Sequence, residues 1–353
     1  MREINVAVAR QYHYSIIIKK GLLKELNQFK QFFFKYDKVV MVTDGNVAPI
    51  YLKHLEKEIK KMGCKTHEII IEPGEKSKSI EGAQEIYQSL LGFNINRGDL
   101  IIALGGGVVG DLTGYCASTY LRGIDYISIP TTLLAQVDSS VGGKVGINFA
   151  KGKNLIGSFY QPKMVLIDPE TLHTLPKRNF AEGMAEIIKY SCIYDEQLFQ
   201  QLRHMEEDEV LQSIDEIIEN CCSIKKEIVE EDEMESGLRR ILNFGHTIGH
   251  VIEAYFNYDK YSHGEAVAIG MAYMAYIGEK KGFTLQGTGD LIKELLIKYH
   301  LPTILPSLDK EDASEIIFKD KKFDGSKIHL IFLKEIGQTV VVTVDKHQLY
   351  AYI

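Results

Sequence analysis

The residues able to do chemistry gather around "NFGHTIGH", positions 243–250, where His246 and His250 stand four apart on a helical period. That spacing sets both imidazoles on one face and suits a metal site, a catalytic pair or two packed core residues. A Glu directly after His246 would supply the base of a metal hydrolase, but Thr247 stands there. Glu186, one turn ahead of Lys189 in "GMAEIIK", and His263, at the head of "HGEAVAIGMAYMAY", complete a set of two His and one Glu. Such a set holds zinc and leaves a position open for substrate. Any one of these histidines alone reads as a structural residue; the coincidence of all three ligands is what raises the metal reading.

A second chemistry is carried by glycine. In "LIIALGGGVVGDL", Gly105, Gly107 and Gly110 fit G-x-G-x-x-G after an apolar strand and before a helix, where backbone N–H groups can approach a pyrophosphate. A tight, ligand-free strand-to-helix turn would read the same way. The acid expected ~20 residues later to hold a ribose falls near Asp125 and is poorly placed; Asp44, ending "VVMVTD", is the better strand-terminal acid. "DSSVGGKVGIN", 138–148, has too many small residues for a good helix or strand, and offers Asp138 and Lys144 to a polar ligand. Read alone, it and the following Lys151, Lys153 and Asn154 suit a surface loop with solvated lysines. Arg122, Lys189, Lys225, Arg239, Arg240 and "DKK" at 320–322 are basic positions scattered through the chain. They can meet on an anionic small molecule only if the fold brings them together.

The elements that must do this positioning change character along the chain. "KVVMVTD", "HEIIIEPG", "DLIIALGGG", "YISIPTT" and "MVLIDP" are short β-branched runs with amphipathic stretches between several of them. This alternation predicts a parallel sheet covered by helices, with ligands at the carboxyl ends of the strands. Beyond about residue 175, "FAEGMAEIIKYSCI", "SIDEIIENCCSIKKEIVEEDE", "LRRILNFGHTIGHVIEAYF" and "HGEAVAIGMAYMAYIGEKKG" predict long helices. "KIHLIFL" and "TVVVTVD" predict a small hairpin. The expectation is an α/β chain: a Rossmann-like parallel-sheet domain at 1–175, then a mainly α-helical metal-binding domain at 176–353. A net charge of −7 argues against a nucleic-acid partner, and no apolar run approaches the ~18 residues of a membrane span. Five cysteines with no Cys-x-x-Cys pair, and an N-terminus without a signal-peptide pattern, point to the cytoplasm.

Taken together, "PGEKSK", "GGGVVGD", "IPTTLLAQVDSSVGGKVGIN", "AEIIKY", "LRRILNFGHTIGH", "SHGEAVAIGM" and "DKK" resemble, in order and spacing, the 3-dehydroquinate synthase family from Asp44 to Lys322. The resemblance implies conversion of 3-deoxy-arabino-heptulosonate 7-phosphate to 3-dehydroquinate and phosphate. It also implies NAD that is reduced and reoxidised within one turnover, a divalent metal (zinc, with cobalt as a substitute) and a homodimer. By similarity Glu186, His246 and His263 hold the metal, and Glu235, His250 and Lys189 are catalytic. Arg122, Asp138, Lys144, Asn154, Lys189, Lys225, Arg239, Asn243, His250 and Lys321 contact substrate, Arg122 reaching a neighbouring subunit's site. Similarity places NAD on Asp44, Asn46, Glu75, Lys78, Gly106, Gly107, Val108, Asp111, Thr131, Thr132, Lys144, Lys153, Thr171, Leu172, His173 and Thr174. Asn179, in "PKRNF", stands where many members carry Glu, which keeps hydrogen bonding and removes the charge. A metal-dependent glycerol-type dehydrogenase of the same fold, releasing NADH, is the alternative enzyme. A non-catalytic NAD-binding regulator is the alternative class.

Overall fold

In a computed structural model, residues 13–150, 152–235, 237–319, 323–324 and 327–352 are described. The first half runs β1 Ser15–Ile18, α1 Lys30–Phe33, β2 Lys38–Asp44, α2 Lys53–Lys61, β3 Lys65–Ile71, α3 Ile80–Gly92, β4 Leu100–Gly105 and α4 Gly107–Thr119. It continues through β5 Asp125–Pro130, β6 Lys144–Phe149, β7 Gly152–Phe159 and β8 Met164–Ile167. Six strands form one sheet in the order β1-β8-β5-β4-β2-β3, parallel at every pairing. Alternate residues of each strand feed opposite faces. Val39, Met41, Leu100 and Ile102 pack with Leu55 and Ile59 on one side, whereas Val40, Val42, Ile101 and Ala103 pack with Ile86 and Leu112 on the other. Burial on both faces is why these runs are continuously apolar. β3 leaves β2 on one side and β4 returns to the other, so the strand order reverses between β2 and β4. A crevice at their carboxyl ends is the expected ligand position in such a sheet.

The second half is built around two central helices. It contains α5 Lys177–Ile193, α6 Glu196–His204, α7 Glu207–Gln212, α8 Ile214–Glu231, α9 His246–Tyr255, α10 His263–Lys281, α11 Thr288–Lys298 and α12 Lys310–Lys319. A three-stranded sheet of β9 Phe323–Asp324, β10 Lys327–Glu335 and β11 Gln338–Asp345 follows, its β10–β11 pair being the expected hairpin. α10 is started by a capping box, Ser262 with Glu265, and ended by Gly282 in the left-handed conformation. Small residues set how closely the helices approach. A Cβ on Gly270 would stand 2.0 Å from the Gly245 carbonyl oxygen, and one on Gly264 2.5 Å from the Glu182 backbone. The core around α5 and α10 takes in Leu133, Val137, Val165 and Ile167 from the first half.

Three local expectations need correction. "LRRILNFGHTIGHVIEAYF" is not one helix: a 3-10 segment, Leu238–Asn243, ends at Phe244, and α9 starts only after Gly245, whose φ is +79°. The break seats Gly245 against α10, where a Cβ would lie 2.8 Å from the Val267 carbonyl oxygen. The glycine-rich stretch after Ser140 is also not a loop throughout, because β6 and β7 form an antiparallel ribbon. Gly146 faces Gly157 there, and a Cβ on Gly157 would come within 2.3 Å of the Val145 carbonyl oxygen, so the glycines are what bring the strands together. Finally, Ser15–Ile18 adds a sixth parallel strand, paired to β8.

Candidate active site

Helix termini assemble the centre. Glu186 lies in the buried middle of α5, while His246 and His263 are the first residues of α9 and α10. Their ligand atoms all lie within 4.8 Å of one another. His246 Nε2 is 3.5 Å and His263 Nε2 3.7 Å from Glu186 Oε1, an oxygen buried without a hydrogen-bond partner. Glu186 Oε2 accepts from Lys189. His246 Nδ1–H donates to the Phe244 carbonyl at 3.2 Å, which turns Nε2 toward Glu186. An orphaned carboxylate oxygen facing two imidazole nitrogens is the donor set of a divalent cation, and these residues fit one.

His250 lies one turn further along α9, its ring 5.7 Å from that of His246 and 6.2 Å from that of His263. It is outside the Glu186 trio and belongs to a second close group with Glu253 and His263. Glu253 is a residue that sequence reasoning missed. It is 3% exposed, accepts from Lys153 at 2.8 Å and faces His263 Nδ1 at 3.3 Å. Burial would raise its carboxyl, but His263 and Lys153 outweigh burial and hold it well below the usual carboxylate range. The signal was present: 246, 250 and 253 fall at i, i+4 and i+7 on one helical face.

Against this centre lies a buried charge cluster. Asp138 accepts from Lys225 at 2.9 Å and from the Tyr190 hydroxyl at 2.5 Å, with Lys189 at 3.9 Å. Lys225 also donates to the Asp138 carbonyl at 2.6 Å. Burial opposes ionisation of Asp138, but Lys225 and Lys189 override it and hold the carboxyl well below its ordinary range. Tyr190 was not foreseen; its only sequence cue is that it adjoins Lys189. Glu235, at φ +59°, pairs with Lys144 and accepts from Asn243 Nδ2 at 2.6 Å. The turn carrying Glu235 is held by the Asp232 carboxylate, which accepts from Gly237 and Arg239 N–H at 2.7 and 3.1 Å. Arg239 donates to the Glu233 and Gly142 carbonyls at 2.6 and 3.2 Å, and its Nε is buried without a partner. Burial lowers the ammonium pKa of Lys144.

The expected nucleotide residues line the carboxyl edge of the parallel sheet. Asp44 caps the turn after β2, accepting from Asn46 and Val47 N–H at 2.8 and 3.0 Å. Gly106, Gly107, Val108 and Asp111 stand at the junction of β4 and α4, and Thr131 and Thr132 directly follow β5. Asp111 pairs with buried Lys78 at 2.5 Å, and Glu75 accepts from Asn148 Nδ2 at 2.9 Å. A Cβ on Gly106 would be 3.1 Å from Thr132 and one on Gly107 3.0 Å from Ser139 Oγ, so glycine lets this turn lie close against the segment that follows β5. A small cavity beside the turn is lined by Gly105, Gly106, Gly110, Asp111, Ser140 and Lys144. This glycine cradle fits a nucleotide pyrophosphate. Within 171–174, Thr171 is buried on Gln136 and Asp168, Leu172 is buried, His173 is exposed and Thr174 meets the Tyr51 hydroxyl at 2.5 Å. Asp125 is engaged by Tyr36 and Lys163 at the opposite, amino end of β5.

One expected substrate residue is not brought in. Arg122 is exposed just past the far end of α4, whose 13 residues span ~20 Å from the glycine loop. Lys321 lies outside the described residues. Asn154 is exposed on β7, its N–H donating to Asn148 Oδ1 at 2.8 Å. Asn179 sits half-buried in the first turn of α5.

A parallel sheet with a glycine cradle at its reversal point, facing a helical half with a His-His-Glu cluster, defines a two-part α/β architecture built for a nucleotide and a metal. The solved 2-epi-5-epi-valiolone synthase of Streptomyces hygroscopicus subsp. jinggangensis, with NAD+ and Zn2+ bound, superposes with a TM-score of 0.89 at 25% identity, covering 99% of this chain and 98% of its own. A 2-deoxy-scyllo-inosose synthase complexed with carbaglucose-6-phosphate, NAD+ and Co2+ gives 0.85 at 26% identity, over 95% of each chain. Residues 68–182 match the 3-dehydroquinate synthase N-terminal family and residues 183–323 the 3-dehydroquinate synthase C-terminal family. The 3-dehydroquinate synthase of Clostridium kluyveri is 47% identical over 100% of this chain and 98% of its own length. The chain belongs to the 3-dehydroquinate synthase family.

Proposed function

We propose that the chain converts 3-deoxy-arabino-heptulosonate 7-phosphate to 3-dehydroquinate and inorganic phosphate, using NAD+ and a divalent metal. The observation that carries this reading is the meeting of Glu186, His246 and His263 beside the Asp138–Lys189–Lys225 cluster. When bound at these positions, NAD+ would take and return a hydride while the metal, zinc or cobalt on this donor set, would acidify the substrate alcohol. The chain's own residues do the rest. Lys225 and Arg239 face the substrate carboxylate, and Arg suits bidentate binding there. Lys144, Asn154 and Lys321 face the phosphate. Lys189, fixed between Glu186 and Asp138, and Asn243 orient the ring hydroxyls. His250 and Glu235 move protons, Glu235 being held for this by Lys144 and Asn243. Holding a flexible substrate in one pose is the main contribution, since elimination, ring opening and aldol closure follow from the substrate's own structure.

NAD+ lies along Asp44, Asn46, Glu75, Lys78, Gly106, Gly107, Val108, Asp111, Thr131, Thr132, Lys144, Lys153 and 171–174 in this reading. The exposed position of Arg122 supports a homodimer in which it serves a neighbouring subunit's site. Residues 1–175 then act as the nucleotide domain and 176–353 as the metal and substrate domain. Five cysteines, all buried and none disulfide-bonded, support a reducing compartment such as the cytoplasm. No described helix is long and apolar enough to cross a membrane. A glycerol-type dehydrogenase would have little need for the buried lysines around Asp138. The test is product identification by proton and phosphorus NMR after incubation with the heptulosonate phosphate. One 3-dehydroquinate per phosphate is expected; unchanged substrate with zinc and NAD+ bound would overturn the reading.

A further inference from the structure

We infer that Glu253 is a positioning residue that couples the metal position to the nucleotide cleft, so that zinc and NAD+ each tighten the other's binding. The inference rests on the proposed function, because it takes the two ligands from that reading. Its basis is how one carboxylate is divided. Oε2 meets His263 Nδ1 at 3.3 Å, and Oε1 accepts from Lys153 Nζ at 2.8 Å. Glu253 is 3% exposed, so these two partners lie on a carboxylate shielded from bulk water. His263 turns its other nitrogen to Glu186, and Lys153 lies 4.0 Å from Glu75 on the nucleotide side and 5.6 Å from the Tyr258 ring. Among the described residues, Glu253 thus touches a candidate metal ligand with one oxygen and a candidate nucleotide contact with the other.

The direction of coupling follows from sharing one negative charge. A cation on His263 Nε2 makes Nδ1–H a stronger donor and draws Glu253 charge toward the ring. Lys153 is then held less tightly and is freer for a pyrophosphate oxygen. Conversely, a nucleotide that engages Lys153 leaves Glu253 to His263, which stiffens the ring as a ligand. Reciprocity requires the same factor in both directions.

The experiment titrates chelator-stripped protein with Zn2+ against a chromophoric chelator, with and without NAD+. It also titrates NAD+ calorimetrically, with and without Zn2+. In the unaltered protein, each ligand should tighten the other at least about fivefold. Glu253→Gln keeps shape and an acceptor but not the charge, and should bring that factor to about one while weakening zinc alone by about tenfold; Glu253→Ala should weaken it toward about a hundredfold. Lys153→Met leaves the His263 contact in place. It should bind zinc alone at least as tightly as the unaltered protein and still lose the coupling, a pattern that general damage to the fold would not produce. Unchanged coupling in Glu253→Gln or Lys153→Met overturns the inference, as does independent binding of both ligands by the unaltered protein. Failure of the unaltered protein to bind either ligand overturns the proposed function instead.

Discussion

Replacing Asp138 with Asn removes one negative charge from between two buried ammonium groups, with almost no change in shape. Lys225 is 6% exposed and 2.9 Å away; Lys189 is 1% exposed and 3.9 Å away. At an effective dielectric of ~20 these separations correspond to ~6 and ~4 kcal/mol of gross attraction. The loss cannot reach that sum, because a buried lysine left without a partner gives up its proton. Lys189 still has Glu186, so Lys225 is the group that neutralises. Doing so at pH 7 costs ~5 kcal/mol, from ~1.36 kcal/mol for each of the ~3.4 pH units below a free lysine's pKa. The expected destabilisation is therefore ~3–5 kcal/mol at pH 7, the range seen when one partner of a buried pair is removed. The sign of its pH dependence follows. An unfolded lysine binds a proton that the folded variant's Lys225 does not, so the variant gains stability on the unaltered protein as pH rises, and by pH 9 the deficit should shrink by ~2–3 kcal/mol. In the unaltered protein the depressed Asp138 carboxyl contributes stability above the ordinary carboxylate pKa, lost as pH falls through its folded value. Urea unfolding followed by tyrosine fluorescence, at pH 7 and 9, is a suitable assay because the chain has 19 Tyr and no Trp. A deficit below ~1 kcal/mol, or one equal at both pH values, would refute the reasoning.

Other substitutions probe separate links. Glu186→Gln should lower zinc affinity at least about a hundredfold while NAD+ affinity in the absence of metal stays within about threefold, read by elemental analysis and calorimetry. Gly270→Ala pushes a methyl onto the Gly245 carbonyl, 2.0 Å away, and should cost ~2–3 kcal/mol in thermal unfolding and loosen zinc through His246. Arg122→Ala subunits mixed with His250→Ala subunits should recover about a quarter of full activity, because half the dimers then hold one intact site. No recovery would mean that Arg122 acts within its own chain or outside the site.

Much of this architecture could be read before any coordinates. β2, β4 and β8 are buried on both faces, so their apolar runs have no polar interruption to confuse the reading. His263 reads as the head of a helix and His246 as one of a pair four apart, whereas the start of α9 at His246 is not readable locally. What escaped depends on contacts distant in sequence. Gly245 breaks a run that reads as one long helix because α10 must approach it closely, a fact absent from the local pattern. Gly146 and Gly157 read as loop residues individually and as a close strand pair only together. Glu253, in "HVIEAYF", reads as one more solvated helix charge until α10 folds over it and brings His263 to its oxygen. Arg122 carries no local mark of its own and sits apart from the rest of the site.

The claim that organises all of this is a closed redox cycle. Chelator-stripped protein, the heptulosonate phosphate and a trace of NAD+ should be followed for inorganic phosphate and 340 nm absorbance together, with and without zinc. Zinc-dependent phosphate far exceeding the NAD+ supplied, with no lasting NADH, is the predicted result. NADH accumulating in step with the NAD+ supplied, without phosphate, would contradict it.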